Sequence, residues 1–196
     1  MPAQASLFGQ SSEQTSSLFF AVFPSADAAA NLFSVAQQLR AQHGLTGKVT
    51  GAERLHVTLH WLGDFIGDIP ESVLAQARQA AATVSAPVFD ITFDKVRSFF
   101  GRSARPFVLG MREENATLCA LHRDLGAALL KQGLGKPARE AFTPHVTLLY
   151  DKKPIASQPI TPVRWTAHEL FLVRSLYGKG EYVRLAAWPF RPREVS

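Results

Sequence analysis

A single cysteine in 196 residues excludes an intramolecular disulfide and a thiolate-based zinc site. That thiol, Cys119, falls within a helical pattern, where a buried and unreactive role is expected. No apolar run approaches the roughly 20 residues that a membrane-spanning helix needs, so no membrane partner is expected. The opening stretch MPAQASLFGQSSEQTSS lacks both the basic start and the apolar core of an export signal. It is rich in Ser and Gln, which reads as a disordered tail over residues 1–17, and the missing signal points to the cytoplasm. Acidic side chains are the minority charge, 16 against 21 basic ones, for a net charge of +5. That excess favours an anionic partner, nucleic acid or nucleotide, and serves as a tiebreaker. Hydrophobic residues make up 46% of the chain, enough to build one domain over 18–192.

Hydrophobic periodicity gives an alternation of strands and helices. An apolar run from Leu18 to Phe23 stops at Pro24, and Ser25 can cap a helix through about His43 with Ala28, Leu32, Val35, Ala36 and Leu39 on one face. ERLHVTLHWLG alternates in period two, with Leu55, Val57, Leu59 and Trp61 on one side and His56, Thr58, His60 and Leu62 on the other. Pro70 opens a second helix. PVFDITFDKVRSFF and RPFVLGM read as an antiparallel pair around GRSAR. A third helix carries Leu118, Leu121, Leu125, Leu129 and Leu130 on one stripe. PHVTLLY is a further strand, and HELFLVRSLY and EYVRLAAWPF form a hairpin at GKG. The expected fold class is α+β and bilobal: two similar antiparallel sheets with helices outside and a central groove.

The tetrapeptide HVTL occurs twice, at 56–59 and 145–148. In a strand, residues i and i+2 share a face, so each copy offers an imidazole and a hydroxyl on the side away from Val and Leu. Two such pairs facing each other across a groove can surround one small group. Histidine gains and loses a proton near neutrality, so two can act as general base and general acid in one displacement. Two threonine hydroxyls can donate to phosphate oxygens as charge develops. A cyclic phosphodiester suits this set. Zinc does not: His56 and His60 on one strand lie about 13 Å apart, too far for one ion. His60, which has Leu149 as its counterpart, is expected on the strand surface or groove wall. His43, His122 and His168 have no partner motif and are expected to be surface or structural residues.

The paired motifs, with LFFAVFPSAD, FFGRSARPFVLGM and LFLVRSLYGKGEYVRLAAWPF around them, resemble the 2H phosphoesterases over about residues 18–190. The similar branch is the RNA 2′,3′-cyclic phosphodiesterases, historically called 2′-5′ RNA ligases. The resemblance implies hydrolysis of RNA 2′,3′-cyclic phosphate ends to 2′-phosphates. It implies His56 as proton donor to the leaving 3′ oxygen, His145 as proton acceptor from water, and Thr58 and Thr147 as phosphate holders. No metal or organic cofactor is implied, and the partners are RNA ends or nucleotides. The chain departs from relatives at Tyr150, where many carry arginine, and at Arg139, one residue further from Phe142 than usual. Both changes touch anion binding. Tyr150, Arg102, Arg105 and Lys152 are the expected substrate contacts outside the motifs, and Phe20 and Trp61 are candidates to stack on a base. A monomer is expected. Three alternatives stay open on sequence: ligation by the reverse reaction, a small cyclic nucleotide as substrate, and a non-catalytic nucleotide or RNA binder.

Overall fold

β1 (Thr15–Val22) is apolar at almost every position from Leu18 onward because it is covered on both faces and flanked on both edges. It begins at Thr15, so residues 15–17, expected in the tail, belong to the strand. The computed structural model describes residues 14–101, 103–135 and 142–192. After β1 come α1 (Ala26–Gln42), a 3₁₀ turn (Ala52–Arg54), β2 (Val57–Ile66), α2 (Glu71–Ala82) and β3 (Phe89–Ser98). The chain continues with β4 (Arg105–Gly110), α3 (Ala116–Lys131), β5 (His145–Asp151), β6 (Gln158–Ala167), β7 (Glu169–Leu176) and β8 (Glu181–Pro189). Among the described residues no helix is long and apolar enough to cross a membrane.

The strands form two four-stranded sheets, ordered β2-β1-β7-β8 and β5-β4-β3-β6. Every pairing within them is antiparallel. Each HVTL strand is an edge strand of its sheet, paired with the strand that precedes it across a helix. The expected pair of similar sheets is therefore present. β6 escaped the sequence reading because Pro159 and Pro162 interrupt it; an outer strand tolerates residues that cannot donate to a ladder.

Local signals set the helix ends. The Ser25 hydroxyl accepts from the Ala28 amide at the start of α1, and Asn115 Oδ1 accepts from the Leu118 amide at the start of α3. Leu32, Ala36 and Leu39 of α1 and Leu118, Leu121, Leu125 and Leu129 of α3 face the core. Leu130, expected on that stripe, is 46% exposed, because it falls about 100° further round the helix than Leu129. The helices cross between lobes: α1 lies against β5 and β6, and α3 against β2. The result is one continuous core shared by both sheets.

Both HVTL strands carry a β-bulge at the last residue of the motif. Phe20 pairs with His60 and Ala21 with Thr58, leaving Leu59 extra; Phe107 pairs with Leu149 and Val108 with Thr147, leaving Leu148 extra. The extra residue shifts the alternation by one. His60 therefore turns to the helix side, and Trp61, which strict alternation puts on the side of Val57 and Leu59, is 57% exposed.

Candidate active site

His56 immediately precedes β2 and Thr58 is its second residue, whereas His145 opens β5 and Thr147 is its third residue. Period two keeps Val57, Val146, Leu59 and Leu148 in the core and leaves the imidazoles and hydroxyls half-buried on the opposite face. The two edge strands that carry the motifs meet each other. His145 is close enough for its charge to depress the pKa of His56.

The two rings are anchored alike. Nδ1 of His56 donates to the carbonyl oxygen of Arg54 at 2.6 Å, and Nδ1 of His145 donates to that of Thr143 at 2.8 Å. A carbonyl can only accept, so the proton sits on Nδ1 and Nε2 carries the lone pair in the neutral ring. At His56, Nε2 accepts from the Thr58 hydroxyl at 2.9 Å. At His145, Nε2 has no partner among the described residues.

Burial pushes the His56 pKa down to about 4, with the charges of His145 and Arg54 acting the same way against the Arg54 carbonyl. Burial also lowers His145, helped by the Arg97 charge and opposed by the Thr143 carbonyl. Both imidazoles are therefore predominantly neutral at pH 7. Negative charge brought beside the rings would raise both.

Aromatic side chains wall the first half-site. His56 stacks against Phe19 and Phe23, with centroids 5.2 and 5.3 Å away, and meets the edge of Tyr182 at 5.4 Å. Phe20, expected as a stacking candidate, is fully buried on the other face of β1. Its neighbour Phe19 faces His56 instead. Both faces of β1 are apolar, so the sequence carried no phase by which to choose between them. His60 and His122 stack 4.2 Å apart beneath the sheet, and His60 Nε2 donates to the His122 carbonyl oxygen at 2.8 Å. His60 is therefore a packing residue and not part of the groove wall.

Of the other expected contacts, Tyr150 lies beyond the β5 bulge and is 58% exposed. Burial of its hydroxyl raises its pKa; the neighbouring Tyr182 and Tyr177 also raise it and Arg54 lowers it. Those neighbours put it beside the first lobe's half-site. Arg105 does not reach the motifs: it sits at the start of β4 and donates to the Lys152 carbonyl oxygen at 2.7 Å. Lys152 is exposed in the turn after β5. Arg102 and Arg139 lie outside the described residues. Sequence reasoning missed Arg54, Arg97, Phe99 and Tyr182. Only Arg54 gave a signal, two residues before the first motif. No cluster of three or more His, Cys, Asp or Glu suited to a metal occurs among the described residues.

The connection into β2 is fastened to the second lobe. Asp151, at the end of β5, accepts from the backbone amides of Thr46, Gly47 and Lys153 at 2.7–2.8 Å and from the Thr46 hydroxyl at 3.3 Å. Led by the Lys153 and Gly47 amides, these bonds hold its carboxyl down at about 2. Just beyond, Val49 bridges to Leu149, and the Thr50 amide donates to the Leu148 carbonyl oxygen at 2.7 Å. The segment that delivers His56 is thus tied to the strand that carries Thr147.

The sequence model of the 2'-5' RNA ligase superfamily matches residues 23–178. Among solved structures, E.coli LigT complexed with 3'-AMP is 26% identical, with a TM-score of 0.72 over 90% of this chain and 98% of that one. E.coli LigT complexed with NADP+ is 25% identical, with a TM-score of 0.69 over 91% and 99%. A Thermus thermophilus protein, TT0787, 23% identical, shares the fold with a TM-score of 0.67 over 91% and 100%. No curated protein gave a sequence match. Two sheets with a histidine motif on the edge strand of each, and a family match across most of the length, mean that the chain belongs to the 2'-5' RNA ligase superfamily of 2H phosphoesterases.

Proposed function

We propose that the protein hydrolyses RNA 2′,3′-cyclic phosphodiester ends to 2′-phosphomonoesters. In this reading water attacks phosphorus, His145 Nε2 takes the water's proton, the bond to the 3′ oxygen breaks, and His56 Nε2–H protonates that oxygen. Thr58 and Thr147 donate to the non-bridging oxygens. The observation that carries the reading is the matched anchoring of the two rings. Both Nδ1 atoms are occupied by backbone carbonyls two residues upstream, which leaves Nε2 as the nitrogen available for proton transfer in each half-site. Thr58 must release His56 Nε2 when substrate enters, and its hydroxyl is then free for phosphate. The RNA substrate is supported by the net positive charge and by the likeness to a protein solved with 3'-AMP.

Joining a cyclic end to a 5′-hydroxyl is the same displacement with that hydroxyl in water's place: His145 takes its proton, the bond to the 3′ oxygen breaks, and His56 protonates that oxygen. One incubation separates the outcomes: a short RNA ending in a 2′,3′-cyclic phosphate, with EDTA present and a 5′-hydroxyl RNA added, followed by end-group analysis. A 2′-phosphate product that disappears with His145→Ala is expected. A joined product would favour ligation, and no product would overturn the reading.

A further inference from the structure

Each histidine of the groove has an aromatic ring at its edge and a guanidinium lying on that ring. At His56 the ring is Tyr182, inclined by 76° at 5.4 Å, with Arg54 Cζ 4.9 Å from its centroid. At His145 the ring is Phe99, inclined by 72° at 4.7 Å, with Arg97 Cζ 4.7 Å from its centroid. Duplication of the lobe does not explain the likeness. Arg54 stands two residues before its histidine in the 3₁₀ turn and Tyr182 is on β8, whereas Arg97 is on β3 and Phe99 follows it. The same three-part arrangement is assembled from different elements.

Neither guanidinium has the carboxylate or oxygen partner that most of the described arginines find, a lack shared by Arg184, which lies on the rings of Phe23 and Phe171, and by Arg191. Arg78, Arg112, Arg123 and Arg174 each meet a carboxylate, and Arg40, Arg105 and Arg164 donate to oxygen acceptors. Among the described residues Arg54 and Arg97 have neither. The Nε of Arg54 is buried without a hydrogen-bond partner, an arrangement that costs stability unless an acceptor is supplied. Its Nη1 lies under the β7–β8 turn at Gly180, where a Cβ would stand 3.4 Å away. Arg97 opens with Lys95 and His145 onto a cavity of about 260 Å³, whose wall also carries Glu113 and Glu114. A cation beside an acid–base histidine works against protonation when nothing else is bound, and the presence of an anion reverses that penalty.

We infer that Arg54 and Arg97 are the phosphate-binding cations of the groove, each held flat on its aromatic ring and donating to phosphate oxygens of a nucleotide chain that enters beside its histidine. The stacked geometry suits arginine, whose planar fork can lie on a ring and still offer its edge to an oxyanion. The inference rests on the reading of the groove as a phosphoester site. It adds the residues that supply the anion affinity which Tyr150 cannot.

The test is a calorimetric titration of a dinucleotide ending in a 2′-phosphate into the wild type, Arg54→Gln, Arg54→Lys, Arg97→Gln and Arg97→Lys. Each Gln variant should bind about 10-fold more weakly or worse, and each Lys variant should recover part of the loss. Affinity unchanged in both Gln variants would overturn the inference. On the wild type, the ¹⁵Nε–H resonances of Arg54 and Arg97 should move during the same titration, and resonances that stay still would count equally against it, whether or not a variant folds. Because binding is read without turnover, a wild type that binds through these arginines but leaves cyclic ends intact would defeat the hydrolase reading alone.

Discussion

His56 and His145 present the same ring nitrogen to the groove, because the carbonyl oxygen two residues upstream of each holds the other. Neither ring can turn over without breaking that bond, so a proton taken up or released by either passes through Nε2. Substituting His56→Ala or His145→Ala should cut turnover by about 10²–10⁴-fold each. The double variant should lose less than the product of the two, since acid and base serve one step. Single-turnover assays on a cyclic-phosphate RNA, with circular dichroism to confirm folding, give the comparison.

The pH dependence should be bell-shaped and acidic in the free protein. The base must be neutral and the acid protonated, while His56 is held at about 4 and His145 below its ordinary 6.5. The maximum of kcat/KM should therefore lie below about pH 6.5. The kcat profile should sit at higher pH, because bound phosphate raises both groups. An alkaline or flat kcat/KM profile would contradict the two-histidine assignment.

Thr58→Ala and Thr147→Ala should each weaken transition-state binding by about 2–4 kcal/mol if the hydroxyls act as oxyanion donors. They should differ in one respect. Thr58 bonds to His56 Nε2, so its removal should also shift the His56 titration, followed by NMR of the ring protons, whereas Thr147→Ala should leave it in place.

The motif residues were legible because they precede the bulges. Up to Thr58 and Thr147 strict alternation holds, and it correctly turned His and Thr away from Val and Leu. Past Leu59 and Leu148 the extra residue reverses the alternation, which is why Trp61 came out exposed and His60 packed on α3. Bulges of this kind depend on the partner strand, which the local pattern does not encode. Arg97 and Phe99 were hidden for another reason: β3 and β5 meet only through β4, and nothing in spacing along the chain announces that meeting.

Acid should loosen the packing between α3 and β2. His122 lies between His60 and Phe142, with centroids 4.2 and 3.9 Å away, and burial pushes its pKa down to about 4. A group lowered on folding binds its proton more readily unfolded, so stability falls as pH drops from about 6.5 to about 4. His122→Phe keeps the stack and cannot be protonated. Its melting temperature relative to wild type should be higher at pH 5 than at pH 8.

Asp151→Ala should lower the melting temperature at neutral pH by removing the acceptor for three backbone amides and a hydroxyl. In the wild type this carboxylate is depressed to about 2 from 3.8. Its contribution is present above about pH 3.8 and is lost as pH falls towards 2. The variant should therefore show less additional destabilisation over that window in thermal melts.

The bridge between Val49 and Leu149 also affects how molecules behave towards one another. β5 ends its sheet, and an uncovered border of amides and carbonyls is a template on which a strand from another molecule can add. Here the Thr50 amide already occupies the Leu148 carbonyl, so the segment leading to His56 seals that border. Loosening it through Asp151 should do more than soften the fold: it should make self-association rise with protein concentration.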